Sequence, residues 1–442
     1  MARPRGPRTM PDSTIVAIRG RRVWDSRGRP TVEAEVRLAD GALGRAIAPA
    51  GASRGSREAI DLRDGGKALG GMGVGRAVNH VNTEIAQAVI GLDAGNQDDV
   101  DRALILLDGT PNKGRLGANA TIAVSMAVLQ AAAGAAGEPL YRYLSQGKPM
   151  RLPLPQIQIF GGGAHAGQRV DIQDYMVTAI GARSFDEALV MTAEVYRSAG
   201  ELMSAGGLRQ GVADEGGWWP AFHSNEAPLE MLLRAIERAG YMPGDELGIA
   251  LDVAASEFGQ GGRYRFGLER REFDSDGLAE ILLDWVKRYP IVSIEDPMAE
   301  DDPLGMARFT AAAGARLQVI GDDYLVTNAE LIHRASQEQT CNAALIKPNQ
   351  AGTISETKAA LDAAKRAGFG TIVSARSGET EDVAIAHLCI GWDAGQLKVG
   401  SFARSERMAK WNEVLRIAEA LGDKAQFAGR AALTSRALSA LR

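Results

Sequence analysis

Beyond about residue 150 the chain repeats one pattern. A short apolar run is followed by a longer stretch whose apolar positions recur every three or four residues. The runs are LPQIQIF, YMVTAI, ELGIALDV, IVSIED, LQVIGDD, AALIKPN, GTIVSAR and QLKVG. Between them lie stretches such as SFDEALVMTAEVYRSAGELM, GLAEILLDWVKRY and ISETKAALDAAKRAG. The runs predict buried strands and the spaced stretches predict amphipathic helices. Strand–helix alternation in turn predicts a mostly parallel sheet. Eight runs over roughly 290 residues suit a closed β/α barrel, typically ~250 residues long. A doubly wound open sheet competes, but no G-x-G-x-x-G opens a helix after the first strand to support it.

The first part of the chain reads differently. STIVAIRGRRVWD, PTVEAEVRLAD and LGRAIAPA are strand-like, and ADG at 39–41 supplies a turn, which predicts an antiparallel meander. Helical patterns follow to about residue 146, and QGKPMRLPLP has the character of a boundary. The predicted organisation is a tail over 1–13, an α+β domain over 14–146 and a barrel domain over 147–442. MARPRGPRTMPDS is basic and Pro-rich without an apolar core, so it reads as a disordered tail and not a signal peptide.

Composition narrows the function classes. With 45% hydrophobic and 24% charged residues the chain can build a sizeable core, and a net charge of −5 without a basic stripe argues against nucleic acid as partner. The uncharged stretch 116–137 has the length of a membrane span, yet Asn119, Ser125 and Gln130 interrupt it and most of it is Ala or Gly. It is expected to be a buried helix, so no membrane partner is expected. Cys341 and Cys389 give no disulfide framework and suit a reducing cytoplasm.

The strand ends carry the chemistry. Asp252, Glu295, Asp322, Lys347, Arg376 and Lys398 close six successive runs at spacings of 43, 27, 25, 29 and 22 residues, close to one βα unit each. A barrel places its active site at that end. Three converging carboxylates repel one another unless a cation lies among them, and all-oxygen ligation favours Mg²⁺. Strand-end salt bridges are the plainer reading, but no single pairing accounts for all six. Lysines beside a metal can titrate low enough to act as a general base. The assembly suits removal of a proton next to a carboxylate, with metal holding the enediolate. GTIV runs into SARSGETED, so that strand ends in Arg376 and Ser377, two side chains suited to an anion.

These residues also resemble the enolase (phosphopyruvate hydratase) family, from about residue 14 to about residue 427. The motifs are DSRGRPTVEAEV, GASRGSREA, LGANA, PLYRYL, GGAHA, DEGG, NEA, ALDVAASEF, SIEDP, GDD, LIKPNQAGTISET, RSGETED and ARSERMAKWNEVLRI. The resemblance implies an enolase-type (β/α)8-like barrel after a smaller α+β domain that acts as a lid. It implies that Asp252, Glu295 and Asp322 hold one Mg²⁺, and that Ser53 helps to bind a second once substrate is present. Lys347 would abstract the α-proton and Glu215 protonate the departing hydroxyl. Lys398 would contact the substrate carboxylate, Arg376 and Ser377 would hold the phosphate, and His165 and Gln173 would line the site. The family is usually dimeric or octameric, so a homo-oligomer is expected, with a small phosphorylated or phosphonate carboxylate as substrate.

The sequence departs from the family pattern at its anionic end and its lid. Ala375 stands where SHRSGET has a His, Asp174 where a Glu lies near the reacting hydroxyl, and Gly161 where an Asn precedes GG. AGASRG replaces SGASTG, bringing Ala50 and Arg54, and Trp218 and Trp219 crowd the turn after DEGG. Ala375 removes a donor and opens space, whereas Arg54 adds a cation suited to phosphate or carboxylate. This pattern suits either a 2-phosphoglycerate lyase or a paralogue of phosphonate biosynthesis that forms carboxyphosphonoenolpyruvate. An inactive structural homologue is the third reading; the intact Lys347, Lys398, Glu215 and carboxylates speak against it.

Overall fold

A computed structural model describes residues 12–433. Residues 1–11 and 434–442, which include most of the expected tail and the end of the expected barrel domain, lie outside the described residues. Asp12 and Ser13, the last two residues of the expected tail, have partners. Thr14 N donates to Asp12 Oδ1 at 3.1 Å, Ser13 Oγ to Asp93 Oδ1 at 2.5 Å, and Ala94 N to Ser13 O at 2.9 Å.

The meander is present as β1 (Ile15–Trp24), β2 (Pro30–Leu38) and β3 (Leu43–Ile47), paired antiparallel in that order. Along β2, Val32, Ala34, Val36 and Leu38 are buried. They pack against the helix Ala118–Ala136, the uncharged stretch of the sequence, which is buried over most of its length. Small residues let sheet and helix come together. A Cβ on Gly44 would lie 2.0 Å from the Ala127 carbonyl oxygen, so only glycine fits there. Among the described residues this is the one helix long and apolar enough to cross a membrane, and its face is spent on the meander.

All eight apolar runs are strands of one barrel: Leu154–Gly161, Asp174–Thr178, Gly248–Asp252, Ile291–Glu295, Gln318–Gly321, Ala343–Ile346, Gly370–Ser374 and Gly395–Gly400. The last pairs with the first, which closes the sheet and excludes the open doubly wound alternative. One strand departs from the parallel expectation. Asp174–Thr178 runs antiparallel to both neighbours. The segment joining it to Leu154–Gly161 holds only the short 3₁₀ turn Gly163–Ala166, and a parallel return needs a crossover of a dozen residues or more, usually helical. The consequence for the site is direct. The first residue of this strand lies at the same barrel end as the last residues of the others. Gly161, Asp174, Asp252 and Glu295 therefore form one row across four strands.

Candidate active site

Lys398, on the strand paired with Leu154–Gly161, reaches into this row, and Lys347 meets Asp322 beside it. Lys398 Nζ lies 2.8 Å from both Asp252 Oδ2 and Glu295 Oε2, and 3.7 Å from Asp174 Oδ2. Lys347, just past its strand, bonds Asp322. Gln173 Nε2 donates to Asp252 Oδ2 at 3.1 Å, and Gln350 Nε2 to Asp322 Oδ1 at 2.9 Å. All these side chains are buried. Burial lowers the pKa of each lysine, but the facing carboxylates outweigh it and raise both, Lys398 most strongly. Burial and Asp252 together raise Glu295 well above the usual carboxylate range, and Lys347 holds Asp322 below it against its own burial.

The anion end joins both domains. Arg376 Nη1 donates to Glu58 Oε2 at 3.0 Å and to Asn349 Oδ1 at 3.1 Å, while Nη2 donates to Glu58 Oε1 at 3.1 Å and to Ser53 O at 3.0 Å. Ala52 N donates to Ser377 Oγ at 2.6 Å, and Arg27 Nη1 does so at 3.3 Å. Ala50 and Gly378 exchange backbone bonds of 2.9 and 2.8 Å, which docks the loop 50–55 over the strand ends. Gly51 permits this approach, since a Cβ there would lie 2.0 Å from Arg376 Nη2. Behind the clamp, the buried Arg407 donates to the carbonyls of Arg376 (2.6 Å), Val399 (2.8 Å) and Ser377 (2.5 Å).

The opposite end is acidic. Glu215 sits in the turn between Arg209–Val212 and Trp218–Pro220, with its Oε1 3.7 Å from His165 Nε2. His165 Nδ1 lies 3.0 Å from Asp174 Oδ1. Burial opposes the charged ring, yet Asp174 and Glu215 raise His165 to about 9, and the same pairing holds Asp174 at about 2 against its burial. Both are therefore charged at neutral pH.

A cavity of about 10 Å³, room for about one water, has walls from Gly51, Ala52, Ser53, His165, Gln173, Glu215, Asp252, Lys347, Ser374, Ala375, Arg376, Ser377 and Lys398. Most of the predicted site residues meet there. Glu295 and Asp322 lie one layer back, beneath the two ammonium groups, and Asp174 lies behind His165. Arg54 is not brought to the cavity. It faces Asp61 at 3.9 Å and is nearly half exposed, because loop 50–55 is fixed by its backbone and leaves that side chain outward. Trp218 stacks on Tyr196 with centroids 4.6 Å apart, and Trp219 abuts Gly167. Glu58, Gln158, Gln350 and Arg407 were not foreseen. All but Gln158 fall inside the quoted motifs, but none stands at a strand end.

Among the described residues, two groups of side chains bring ligand-type atoms within 4.8 Å of one another: His165, Asp174 and Glu215, and Asp296, Asp322 and Asp323. In the second, Asp296 accepts the amides of Asp322 (2.9 Å) and Asp323 (2.7 Å), so it braces a turn. Burial and Asp322 raise it to about 8. Asp252, Glu295 and Asp322 suit a divalent cation better. They stand on successive strands, their present counterions are ammonium groups, and Glu295 Oε1 is buried without a hydrogen-bond partner.

The family model for the enolase N-terminal domain matches residues 15–144, and that for the enolase C-terminal TIM barrel domain matches 149–436. The chain belongs to the enolase family. Set in that family, the departures have structural readings. Ala50 takes part in the lid contact through its backbone alone, so alanine serves there as well as serine. Ala375 lies on the cavity wall, with its amide donating to Lys398 O at 2.9 Å. Gly161 packs so closely that a Cβ would sit 2.6 Å from that of Ala213.

Proposed function

We propose that this enzyme is a Mg²⁺-dependent carbon–oxygen lyase, which removes the α-proton of a 2-phosphoglycerate-type substrate and releases its hydroxyl as water to give an enolpyruvate product. The observation that carries the reading is one small cavity walled by lysine, the Glu215 carboxyl group and the Arg376–Ser377 pair. Lys347 takes the proton, and Glu215, on the opposite wall, gives one to the leaving hydroxyl. Lys398 meets the substrate carboxylate, and Arg376 and Ser377 meet the phosphate. Asp252, Glu295 and Asp322 would hold one Mg²⁺ and Ser53 would join a second, supplying positive charge beside the substrate carboxylate. His165 and Gln173 shape the wall. The free, buried cysteines support a cytoplasmic setting, and the family resemblance supports a homo-oligomer.

The test separates the two proton transfers. Lys347→Ala should lose the ~10²- to 10⁴-fold that a positioned base contributes, together with exchange of the α-proton into deuterated solvent. Glu215→Gln should keep exchange and block product. Equal loss of exchange in both variants would refute the division of roles.

Ala375 favours a second reading. A small side chain on the anion wall leaves room for a larger substrate, as in carboxyphosphonoenolpyruvate formation from 2-phosphoglycerate and a phosphonate. The extra cation expected from Arg54 does not support it, since that side chain faces away. Phosphorus NMR of 2-phosphoglycerate incubations with and without phosphonoformate decides between them. Ala375→His should raise kcat/KM for simple dehydration by about 10-fold or more if the wild type is specialised, the worth of one charge-assisted hydrogen bond.

A further inference from the structure

Gln158 lies in the middle of strand Leu154–Gly161, fully buried, at a position whose neighbours are apolar. An uncharged amide there needs partners at both ends. Its Nε2 donates to Asp174 Oδ1, the same oxygen that faces His165 Nδ1. Its Oε1 accepts the amide of Gly217 at 2.8 Å, two residues beyond Glu215. A single side chain therefore ties the Asp174–His165 pair to the turn that carries Glu215. The surrounding glycines have little slack. A Cβ on Gly217 would lie 2.4 Å from Gln158 Oε1, and one on Gly161 would lie 2.6 Å from Ala213 Cβ and 3.4 Å from both amide heavy atoms of Gln158.

We infer that Gln158 is a positioning residue which fixes Glu215 relative to His165, and that Gly161 and Asp174 belong with it as one fitted unit. The inference rests on the reading of Glu215 as the acid. The reach is divided between the two side chains. Asp174 is one methylene shorter than the Glu that the family pattern carries, and Gln158 spans the remaining distance to it. Any side chain at 161 would push on Ala213 or on the Gln158 amide, and so move the turn. Two of the departures at this end are thereby accounted for together.

The test uses the full-length enzyme with Mg²⁺ and 2-phosphoglycerate. Gln158→Leu keeps the volume and removes both hydrogen bonds. It should lower kcat for product by about 10- to 100-fold, in line with a lost hydrogen bond to a charged group, with KM nearly unchanged and α-proton exchange retained. Gly161→Ser should act in the same direction. Gln158→Asn alone should be impaired, and Gln158→Asn with Asp174→Glu should recover, because the summed reach is restored. A second readout does not depend on activity: the Gly217 amide should be protected from hydrogen exchange in the wild type and exposed in Gln158→Leu. Equal loss of exchange and product in Gln158→Leu, no recovery in the double variant, or unchanged Gly217 protection would each overturn the inference. Protection lost as expected in an enzyme that shows no α-proton exchange even as wild type would instead overturn the proposed function and leave the positioning intact.

Discussion

Glu58 is the most informative side chain to change, because it occupies the anion clamp. Both of its oxygens face Arg376, at 3.0 and 3.1 Å, and both side chains are nearly inaccessible. Removing one member of a buried ion pair costs about 3–5 kcal/mol, since the remaining charge is stranded. Here the lower end applies, because Arg376 keeps Asn349 Oδ1 and Ser53 O as acceptors. Glu58→Gln should therefore lose about 3 kcal/mol. At ~2 cal/mol/K per residue, a chain of 442 residues converts this into a Tm lower by roughly 3 °C. The same change should improve anion binding. In the wild type a phosphate must displace Glu58 from the guanidinium, whereas in the variant it does not. Inorganic phosphate should bind about 10-fold tighter, equivalent to ~1.4 kcal/mol. Thermal melts with phosphate, against chloride at matched ionic strength, measure both effects. A variant as stable as wild type, or equal stabilisation of both by phosphate, refutes the idea that Glu58 holds the clamp in place of substrate.

Two further outcomes follow from the same geometry. Glu295→Gln removes a charge from the row that Lys398 bridges, so it should weaken Mg²⁺ binding in calorimetry and abolish turnover; full activity in excess chelator would rule out the metal assignment. His387 lies 3.2 Å from Glu413, stacked against Tyr141, and burial outweighs that carboxylate to lower its pKa from the ordinary 6.5. The unfolded chain then binds the proton more readily, so stability should fall as pH drops through 6.5 towards the folded value, and His387→Gln should flatten that slope.

The eight barrel strands were legible because each is a short, mostly apolar run, and the site was legible where an ionisable residue ends one of them. Strand direction was not, because the antiparallel course of Asp174–Thr178 depends on the length of a connection and not on the pattern of the strand. Gln158 gave no signal for a related reason: one of two amides inside LPQIQIF looks like a tolerated interruption until Asp174 and Gly217 are seen beside it. Arg54 misled in the other direction. Its charge suggested an anion contact, but the direction of a long loop side chain follows from how the loop backbone docks, here onto Gly378 and Glu300, where Ser56 N meets Glu300 Oε2 at 3.0 Å.

The small domain was expected to act as a lid, and its contacts argue that only part of it is free to move. Asp101 accepts Ser125 Oγ at 2.6 Å and Gln97 Nε2 at 3.0 Å within its own domain, and Ser355 N at 2.8 Å from the barrel helix Ile354–Arg366. Lys113 pairs with Glu356 at 2.7 Å, and Thr121 Oγ1 donates to Gly352 O at 2.8 Å. These buried ties lock the body of the small domain to the barrel. Loop 50–56 is held instead through its backbone, by Gly378, Ser377, Glu300 and the guanidinium groups of Arg376 and Arg27. Opening should therefore be confined to that loop, and native-state hydrogen exchange should show it. The amides of Ala50, Ala52 and Ser56 should exchange far faster than that of Ser355. Asp101→Ala takes this acceptor from the Ser355 amide and hydroxyl and from the Ser125 hydroxyl, at about 1–3 kcal/mol for each left unpaired, while Gln97 keeps Ser125 as a partner, so it should cut stability by several kcal/mol and bring Ser355 exchange towards that of the loop. If Ser355 and Ala52 already exchange at the same rate in the wild type, the whole domain opens as one body and the loop is not the moving part.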